Sequence, residues 1–318
     1  MAPGCVPLDA PLAVRQVAVI QAPSGLGLRA VGVEGLGEAL LGHGLMEMLG
    51  ARSLTTVAPP PASGIRDPVS GVLNGPEIAA YAVALADVVG RVLDAGETPL
   101  VLGGDCSVLL GAALALRRRG GAGLLFLDGH ADFYQPSAEP SGEAASMDLA
   151  LATGHGPSAV GDLEGRSPLS SASRTQSSWA SVTRRSRPAT AASRSPLALD
   201  LAAVRAAGAP AAAERALAHL TRPDAPDRFW IHVDADVLDD AVLPAVDYRQ
   251  PGGLSPDELA TVLAAAMATG RVAGIEVTIY NPALDPDGTA GAALTGALAC
   301  GLRGAAPHPL GPHGGGGP

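Results

Sequence analysis

The 318-residue chain contains no lysine, because all 21 of its basic residues are arginine. This absence excludes chemistry through a lysine Schiff base, including pyridoxal enzymes, and it excludes a phosphate loop that needs a Gly-Lys pair. Arginine cannot replace lysine in these roles, since its guanidinium does not give up its proton. Alanine and glycine are abundant, so we interpret the missing lysine as codon bias in a GC-rich gene.

Aromatic residues and cysteines are also scarce. Aromatics make up 3% of the chain while hydrophobic residues make up 47%, so small aliphatic side chains must form the core, as in a parallel α/β sheet. Cys5, Cys106 and Cys300 are too few and too scattered for a disulfide framework, which favours a reduced, cytoplasmic protein. The start of the chain lacks the basic region of a signal peptide.

Two further absences exclude classes of partner. No uncharged apolar run reaches about 18 residues, so we expect no membrane span and no membrane partner. The net charge of −10 argues against binding to nucleic acid.

One stretch contains no acidic residue. Residues 165–196 hold ten serines and six arginines, and we expect them to supply no buried strand. Three interpretations remain open: a disordered surface insertion, a segment translated out of frame, and a functional basic loop. The Gly/Pro-rich residues 304–318 are expected to form a disordered tail, which leaves residues 1–303 as a single domain.

Elsewhere, short aliphatic runs alternate with segments of helical periodicity. Five such runs predict strands: QVAVIQA, PLVLGGD, GLLFLDGHAD, RFWIHVDAD and VAGIEVTI. Helices are predicted over 35–49, 76–95, 107–119 and 288–302, and after Ser255, where Pro256 and Glu258 complete a capping box. The alternation predicts βαβ units and a mostly parallel sheet, in which ligands bind at the carboxyl ends of strands.

Acidic residues follow two of the predicted strands. Asp128, His130 and Asp132 are spaced two residues apart, which places them on one side of an extended backbone. Asp234 and Asp236 repeat this pattern on a second strand. Four carboxylates and one imidazole suit two divalent cations of the Mn²⁺ type, which can generate a hydroxide nucleophile at neutral pH. The alternative is that these are solvated turn carboxylates.

These motifs resemble those of the ureohydrolases, the family of arginase, agmatinase and formiminoglutamase. The resemblance covers roughly residues 15–160 and 197–303, and it is carried by VLGGDCS, DGHADFY, SGEAASMDLAL, HVDADVLDD, GGLSPDEL and YNPALDPDG. It implies a three-layer α/β/α sandwich around a mainly parallel sheet of about eight strands, in trimers or hexamers. It also implies a binuclear-metal hydrolase whose metal-bridging hydroxide cleaves a C–N bond of a guanidino or linear amidine compound.

The resemblance assigns roles to residues by position. The metal ligands would be Cys106, Asp128, His130, Asp132, Asp234 and Asp236. Asp128 and Asp234 would bridge the two ions. The catalytic residues would be Asp128, His130 and Asp132, with Asp132 or an unidentified group handling protons. The substrate-binding residues would be Tyr134, Ser141 and Glu143. The residues supporting the ligands would be Asp105, Ser107 and His232, although His232 is also interpreted as a strand-end residue or as a group that approaches the metals.

Four departures from the family pattern affect this transfer. Cys106 replaces a family histidine, so it is either a softer ligand that favours Zn²⁺, Co²⁺ or Fe²⁺ over Mn²⁺, or a small buried residue. Ala145 occupies the place of the arginase proton-shuttling histidine, and His155 is a candidate replacement. Ile279 occupies the place of the guanidinium-binding glutamate. The acid-free stretch falls where the family keeps a strand, so a central sheet element is expected to be missing or displaced.

Glu143 belongs to the same departure as Ala145, in the loop SGEAAS, and it replaces an asparagine that binds the amino-acid end of arginine. It would either repel an α-carboxylate and favour a cationic or uncharged group, or be simply solvated. The predicted function is therefore hydrolysis of a guanidino or amidine compound, with arginine less favoured than an agmatine-like or smaller guanidino or amide substrate. The alternatives are a metal-binding member without catalytic activity and a defective family member.

Overall fold

Eight parallel strands form a single sheet in the computed structural model, which describes residues 16–161, 163–165, 179–183 and 197–303. The predicted tail, the start of the chain and most of the acid-free stretch lie outside the described residues. The strands are β1 (Val17–Ala22), β2 (Arg52–Thr56), β3 (Thr98–Gly103), β4 (Gly123–Leu127), β5 (Trp179–Thr183), β6 (Leu197–Asp200), β7 (Phe229–Asp234) and β8 (Val272–Thr278). Their order across the sheet is β2-β1-β3-β8-β7-β4-β5-β6.

Helices cover both faces of the sheet. They are α1 (Leu36–Gly42), α2 (Leu45–Leu49), α3 (Gly75–Asp94), α4 (Leu109–Arg117), α5 (Asp148–Ala152), α6 (Ser158–Gly161), α7 (Leu201–Ala207), α8 (Ala209–Leu220), α9 (Pro256–Ala268) and α10 (Thr289–Leu302). Helices α3 to α6 share one hydrophobic core with one face, and α1, α2 and α7 to α10 share another core with the opposite face. This is the predicted three-layer sandwich.

Residues alternate between these two cores along the central strands. In β4, Leu125 and Leu127 enter one core, while Leu124 and Phe126 enter the other. Such strands are buried on both faces, which explains why the sequence shows continuous aliphatic runs instead of an apolar/polar alternation. Ala, Val and Leu provide most of the packed side chains, as the shortage of aromatics predicts.

Local signals placed most helix ends correctly. Ser255 caps α9, and its hydroxyl accepts a hydrogen bond from the Glu258 N–H while the Glu258 carboxylate accepts one from the Ser255 N–H. The single helix predicted over 35–49 was wrong, because the chain breaks after α1. Gly44 there adopts a left-handed conformation with φ 84°, which ends one helix and begins the next.

The expectation that the acid-free stretch leaves a central sheet element missing or displaced was also wrong. Strand β5 comes from this stretch and pairs in parallel with β4 on one side and β6 on the other. The composition of the whole stretch hid a short run, WASVT, that contains strand-favouring residues. No central strand is missing from the sheet. The three interpretations of the flanking residues, 166–178 and 184–196, concern positions outside the described residues.

The register of the central strands brings their carboxyl ends together. Leu127 of β4 pairs with Val233 of β7, so the next residues, Asp128 and Asp234, lie side by side. On the other side of β7, Asp234 pairs with Thr278 of β8. Four adjacent strands (β3, β8, β7 and β4) therefore deliver their terminal residues to one place. Among the described residues, no helix has the length and apolar character needed to cross a membrane.

Candidate metal centre

The turn after β3 presents Cys106. Asp105 begins this turn, and its carboxylate accepts hydrogen bonds from the Ser107 N–H at 2.8 Å and from the Ser24 hydroxyl at 2.8 Å. Asp105, Cys106 and Ser107 are all buried. Asp105 is thus a structural support for the turn, and the Cys106 thiol points to the end of β7, where it donates to Asp234 Oδ2 at 3.0 Å.

The loop after β4 presents three of the predicted ligands. Asp128 is fully buried and accepts a hydrogen bond from the His130 N–H. Gly129 lies so close to the end of β7 that a Cβ there would come within 2.6 Å of Asp236, so only glycine fits between them. Its N–H donates to Asp236 Oδ1 at 2.8 Å. The loop is therefore held against the second acidic pair.

The turn after β7 presents Asp234 and Asp236. Asp234 Oδ1 accepts a hydrogen bond from the Asp236 N–H at 2.8 Å, which orients its other oxygen toward Cys106. Asp236 Oδ2 lies 2.7 Å from His130 Nδ1. The structure thus brings all six residues predicted as metal ligands to one site.

Ligand atoms in this site approach one another closely enough to share a cation. Several sets of three residues have ligand atoms that all lie within 4.8 Å of one another. Three of these sets contain predicted ligands from more than one loop: Cys106 with Asp132 and Asp234, Asp128 with His130 and Asp236, and Asp128 with His232 and Asp234. Asp128 and Asp234 each occur in two sets. This sharing is what two neighbouring ions with bridging carboxylates require.

The electrostatics of the site also favour cations. Burial and the neighbouring carboxylates raise the pKa values of Asp128, Asp132 and Asp234 well above the usual range for aspartate. Burial also raises the pKa of Asp236, but hydrogen bonding and the charge of His130 outweigh it, so the pKa of Asp236 is lowered. Asp128 Oδ2 is buried and makes no hydrogen bond of normal geometry with the described residues. Divalent cations would satisfy such a set, whereas solvated turn carboxylates would be exposed.

Two acids that sequence reasoning did not assign to the site complete it. Asp148, at the start of α5, is fully buried, and one of its carboxylate oxygens forms a set of ligand atoms with Cys106 and His232. Glu276 of β8 is fully buried, with its Oε1 2.7 Å from His232 Nδ1. A signal was present for both, because each is a lone acid in an otherwise apolar segment, and buried acids need partners.

A cavity of about 800 Å³ opens in front of the ligands. Tyr134, Ser141 and Glu143, predicted to bind substrate, all line it. Glu143 is buried rather than solvated, and it accepts hydrogen bonds from the Arg29 N–H at 2.6 Å and the Ser141 hydroxyl at 2.9 Å. The hydroxyl of Tyr248 donates a third hydrogen bond to the Glu143 carboxylate at 2.7 Å, and the sequence did not indicate Tyr248 as a site residue.

The positions where the family has a proton shuttle and a guanidinium partner form an apolar wall. Ala145 and Ile279 both line the cavity. Ile279 has φ 74°, a conformation that costs energy for a β-branched residue and that is held here by its N–H bond to the Gly104 carbonyl at 2.8 Å. His155 is not among the cavity-lining residues. Its ring lies 4.9 Å from that of Phe133, so the structure gives no support to it as a replacement shuttle.

Comparisons with known proteins agree with this site. The sequence profile of the family described as "Arginase family" matches residues 72–302. An arginase from Brevibacillus brevis is 36% identical over 85 residues, and this match spans 26% of the chain but only 28% of that relative. The native structure of an arginase from Bacillus caldovelox superposes with a TM-score of 0.79 at 22% identity, covering 91% of this chain and 98% of that one.

A second solved structure shares the fold. It is a hypothetical agmatinase from Burkholderia thailandensis, with a TM-score of 0.63 at 19% identity, covering 92% of this chain and 85% of that one. At such identities the superpositions establish the architecture, while the profile match, which spans more than half of the chain, establishes descent. The chain therefore belongs to the arginase family, the ureohydrolases whose motifs follow its central strands.

Proposed function

We propose that this protein is a binuclear-metal hydrolase that cleaves a C–N bond in a guanidino compound carrying a second cationic group. The observation that carries the proposal is the charge of the cavity. Its described lining contains no arginine and five carboxylates, of which Asp132, Asp234 and Asp236 would bind the metal ions while Glu139 and Glu143 would remain to face the substrate. Such a cavity attracts a dication and repels the α-carboxylate of an amino acid, so agmatine fits it better than arginine.

The metal-binding role falls to the six residues that converge on the site. Cys106, Asp132 and Asp234 would hold one ion, His130 and Asp236 would hold the other, and Asp128 with Asp234 would contact both. Bound divalent cations lower the pKa of water, so that a nucleophile is available at neutral pH. Mn²⁺ suits the carboxylate ligands, whereas the Cys106 thiolate would shift preference toward Zn²⁺, Co²⁺ or Fe²⁺.

The remaining residues would bind the substrate and move protons. Asp132, itself one of the proposed metal ligands, lines the cavity, and we assign proton transfer to its carboxylate. Ile279 and Ala145 would exclude water from one side of the guanidinium and orient it by shape rather than by charge. Glu143, held by three hydrogen-bond donors, would position the cationic tail at the other end of the cavity.

The direct test is release of urea by metal-loaded protein. We expect turnover of agmatine, with arginine as a much poorer substrate. No turnover of any guanidino compound or amidine, despite two bound ions per chain, would contradict the proposal. That result would support the second candidate function, a metal-binding member without catalytic activity, which the apolar wall of Ala145 and Ile279 favours.

A substitution at Glu143 tests the substrate class. Glu143→Gln removes the charge but keeps the size and most of the hydrogen-bonding capacity of the side chain. We expect the KM for agmatine to rise about tenfold with little change in kcat, because a charged hydrogen bond contributes roughly 1.5–3 kcal/mol. Steady-state kinetics on agmatine and on butylguanidine, which lacks the second cation, would measure the effect.

The control is Glu97→Gln, the same change at the opposite end of the sheet. Glu97 precedes β3 and pairs with Arg52 on the surface, so its loss should leave both substrates unaffected. Tyr248→Phe should raise the KM for agmatine less than Glu143→Gln, since it removes one hydrogen bond and keeps the charge. An equal loss on agmatine and butylguanidine in Glu143→Gln would contradict a role in binding the cationic tail.

A further inference from the structure

A second group of ligand atoms lies on the buried side of the metal centre. Cys106, Asp148 and His232 are all fully buried, and their ligand atoms lie within 4.8 Å of one another. Asp148 and His232 do not belong to the ligand set that the family motifs indicate. Neither oxygen of Asp148 makes a hydrogen bond of normal geometry with the described residues, and neither does His232 Nε2.

His232 is oriented as a metal-binding histidine would be. Its Nδ1 lies 2.7 Å from Glu276 Oε1, and its ring stacks on Phe126 with centroids 4.5 Å apart and planes 8° apart. These two contacts fix the ring and leave Nε2 as the nitrogen available to a ligand. A carboxylate behind the imidazole is the usual partner of a histidine that binds a transition metal.

Asp148 is difficult to explain without a cation. It opens α5 in the layer that covers this face of the sheet, next to Met147 and Leu149 of the hydrophobic core, and burial together with nearby carboxylates raises its pKa. A buried carboxylate without a partner is strongly unfavourable. A carboxylate oxygen of Asp148 lies within 4.8 Å of ligand atoms of Cys106 and His232, whose thiol and imidazole are groups that bind transition metals.

We propose that Cys106, Asp148 and His232 hold a transition-metal ion of the Zn²⁺ or Co²⁺ class, in a position more buried than the carboxylate ligands that face the cavity. One sulfur, one nitrogen and one oxygen donor suit these ions better than Mn²⁺ or Mg²⁺. Cys106 is the point of contact with the proposed binuclear centre, since it also lies 3.0 Å from Asp234. The inference rests on that centre for its location but does not depend on turnover.

Titration of the metal-free full-length protein with Co²⁺ tests the proposal. Thiolate coordination to Co²⁺ produces a charge-transfer absorption band in the near ultraviolet, and elemental analysis gives the number of ions per chain. We expect wild type to show the band and Cys106→Ser to lose it. Asp148→Asn and His232→Gln should each weaken the affinity of the thiolate-linked ion by at least about tenfold, and Zn²⁺ should compete for it.

The matched control is His219→Gln. His219 Nε2 is also without a hydrogen bond, but the residue lies on α8 and belongs to no set of ligand atoms among the described residues. It should bind Co²⁺ as wild type does. Thermal unfolding of the metal-free variants separates misfolding from the loss of a metal-binding side chain. Metal-free Asp148→Asn should be at least as stable as metal-free wild type, because a buried charge is removed.

Two results would overturn the proposal. In the first, both Asp148→Asn and His232→Gln bind Co²⁺ with wild-type affinity and show an unchanged band. Cys106 would then bind metal only together with the ligands that face the cavity. The other is absence of the band in the wild-type protein. Neither readout uses turnover, so an intact band without urea release would contradict the proposed activity alone. Urea release together with a Co²⁺ band that does not depend on Asp148 or His232 would contradict this site alone.

Discussion

Asp128→Asn is expected to lower turnover by about a thousandfold or more, which corresponds to roughly 4 kcal/mol of transition-state stabilisation. Asp128 takes part in two of the sets of ligand atoms, so its loss affects both proposed ion positions at once. The amide keeps the shape of the side chain but is neutral and is a weaker ligand for divalent cations. Turnover and bound metal per chain should therefore fall together.

The control for this variant is Asp94→Asn, the same chemical change at the end of α3. Asp94 pairs with Arg119 on the surface and lies outside the ligand sets, so the control should keep wild-type activity and metal content. Metal-free Asp128→Asn should unfold at a temperature no lower than wild type, because it no longer buries this charge. Full metal content with more than about a tenth of wild-type turnover would refute the role assigned to Asp128.

Removal of metal is expected to lower the unfolding temperature by roughly 10 °C, and to invert the dependence of stability on pH. The temperature estimate follows from about 4 kcal/mol of linkage at a free metal concentration a thousand times its Kd. In the metal-free protein, burial and mutual repulsion raise the pKa of four aspartates: Asp128, Asp132, Asp148 and Asp234. Four buried carboxylates then respond to pH in the same direction.

The sign of the pH effect follows from proton binding. Between the unfolded pKa of aspartate, about 4, and the raised folded values, the native state binds more protons than the unfolded state. The free energy of unfolding of the metal-free protein should thus decrease as pH rises through this window. Asp236, whose pKa is lowered, contributes in the opposite direction but is one group against four. In the metal-loaded protein, protons compete with the cations, so stability should increase with pH.

Thermal unfolding between pH 5 and pH 8 measures both effects, with chelator-treated and metal-loaded samples compared at each pH. Asp148→Asn should flatten the slope of the metal-free protein because it removes one of the four raised groups. A metal-free protein whose unfolding temperature rises steadily across this range would show that the buried aspartates are compensated by something other than cations.

Much of the fold and the ligand set followed from local patterns. The aliphatic runs identified β1, β3, β4, β7 and β8, because parallel strands buried on both faces need continuous apolar sequence. The spacing of Asp128, His130 and Asp132 after a strand was enough to predict that they lie together. The break between α1 and α2 was missed, since apolar periodicity continues across Gly44 and only its conformation reveals the interruption.

Strand β5 shows the limit of reasoning from composition. Averaged over 165–196, serine and arginine hide the five residues that pair with β4 and β6. Partners on both sides supply the backbone hydrogen bonds, so strand formation depends on a vacant place in the sheet more than on the flanking sequence.

The sequence by itself determined the family, the parallel α/β architecture and the identity of six candidate metal ligands, because strand ends and two-residue spacing are local properties. The tertiary structure decided which further groups face those ligands. Glu143 meets Tyr248 across 105 residues of sequence, and Glu276 meets His232 across 44. Contacts at such separations depend on strand order and register, and these are set by the packing of the whole sheet. The sequence already indicated His232 near the ligands, but its approach to Asp148 on the buried side of the metal centre is visible only in the folded chain.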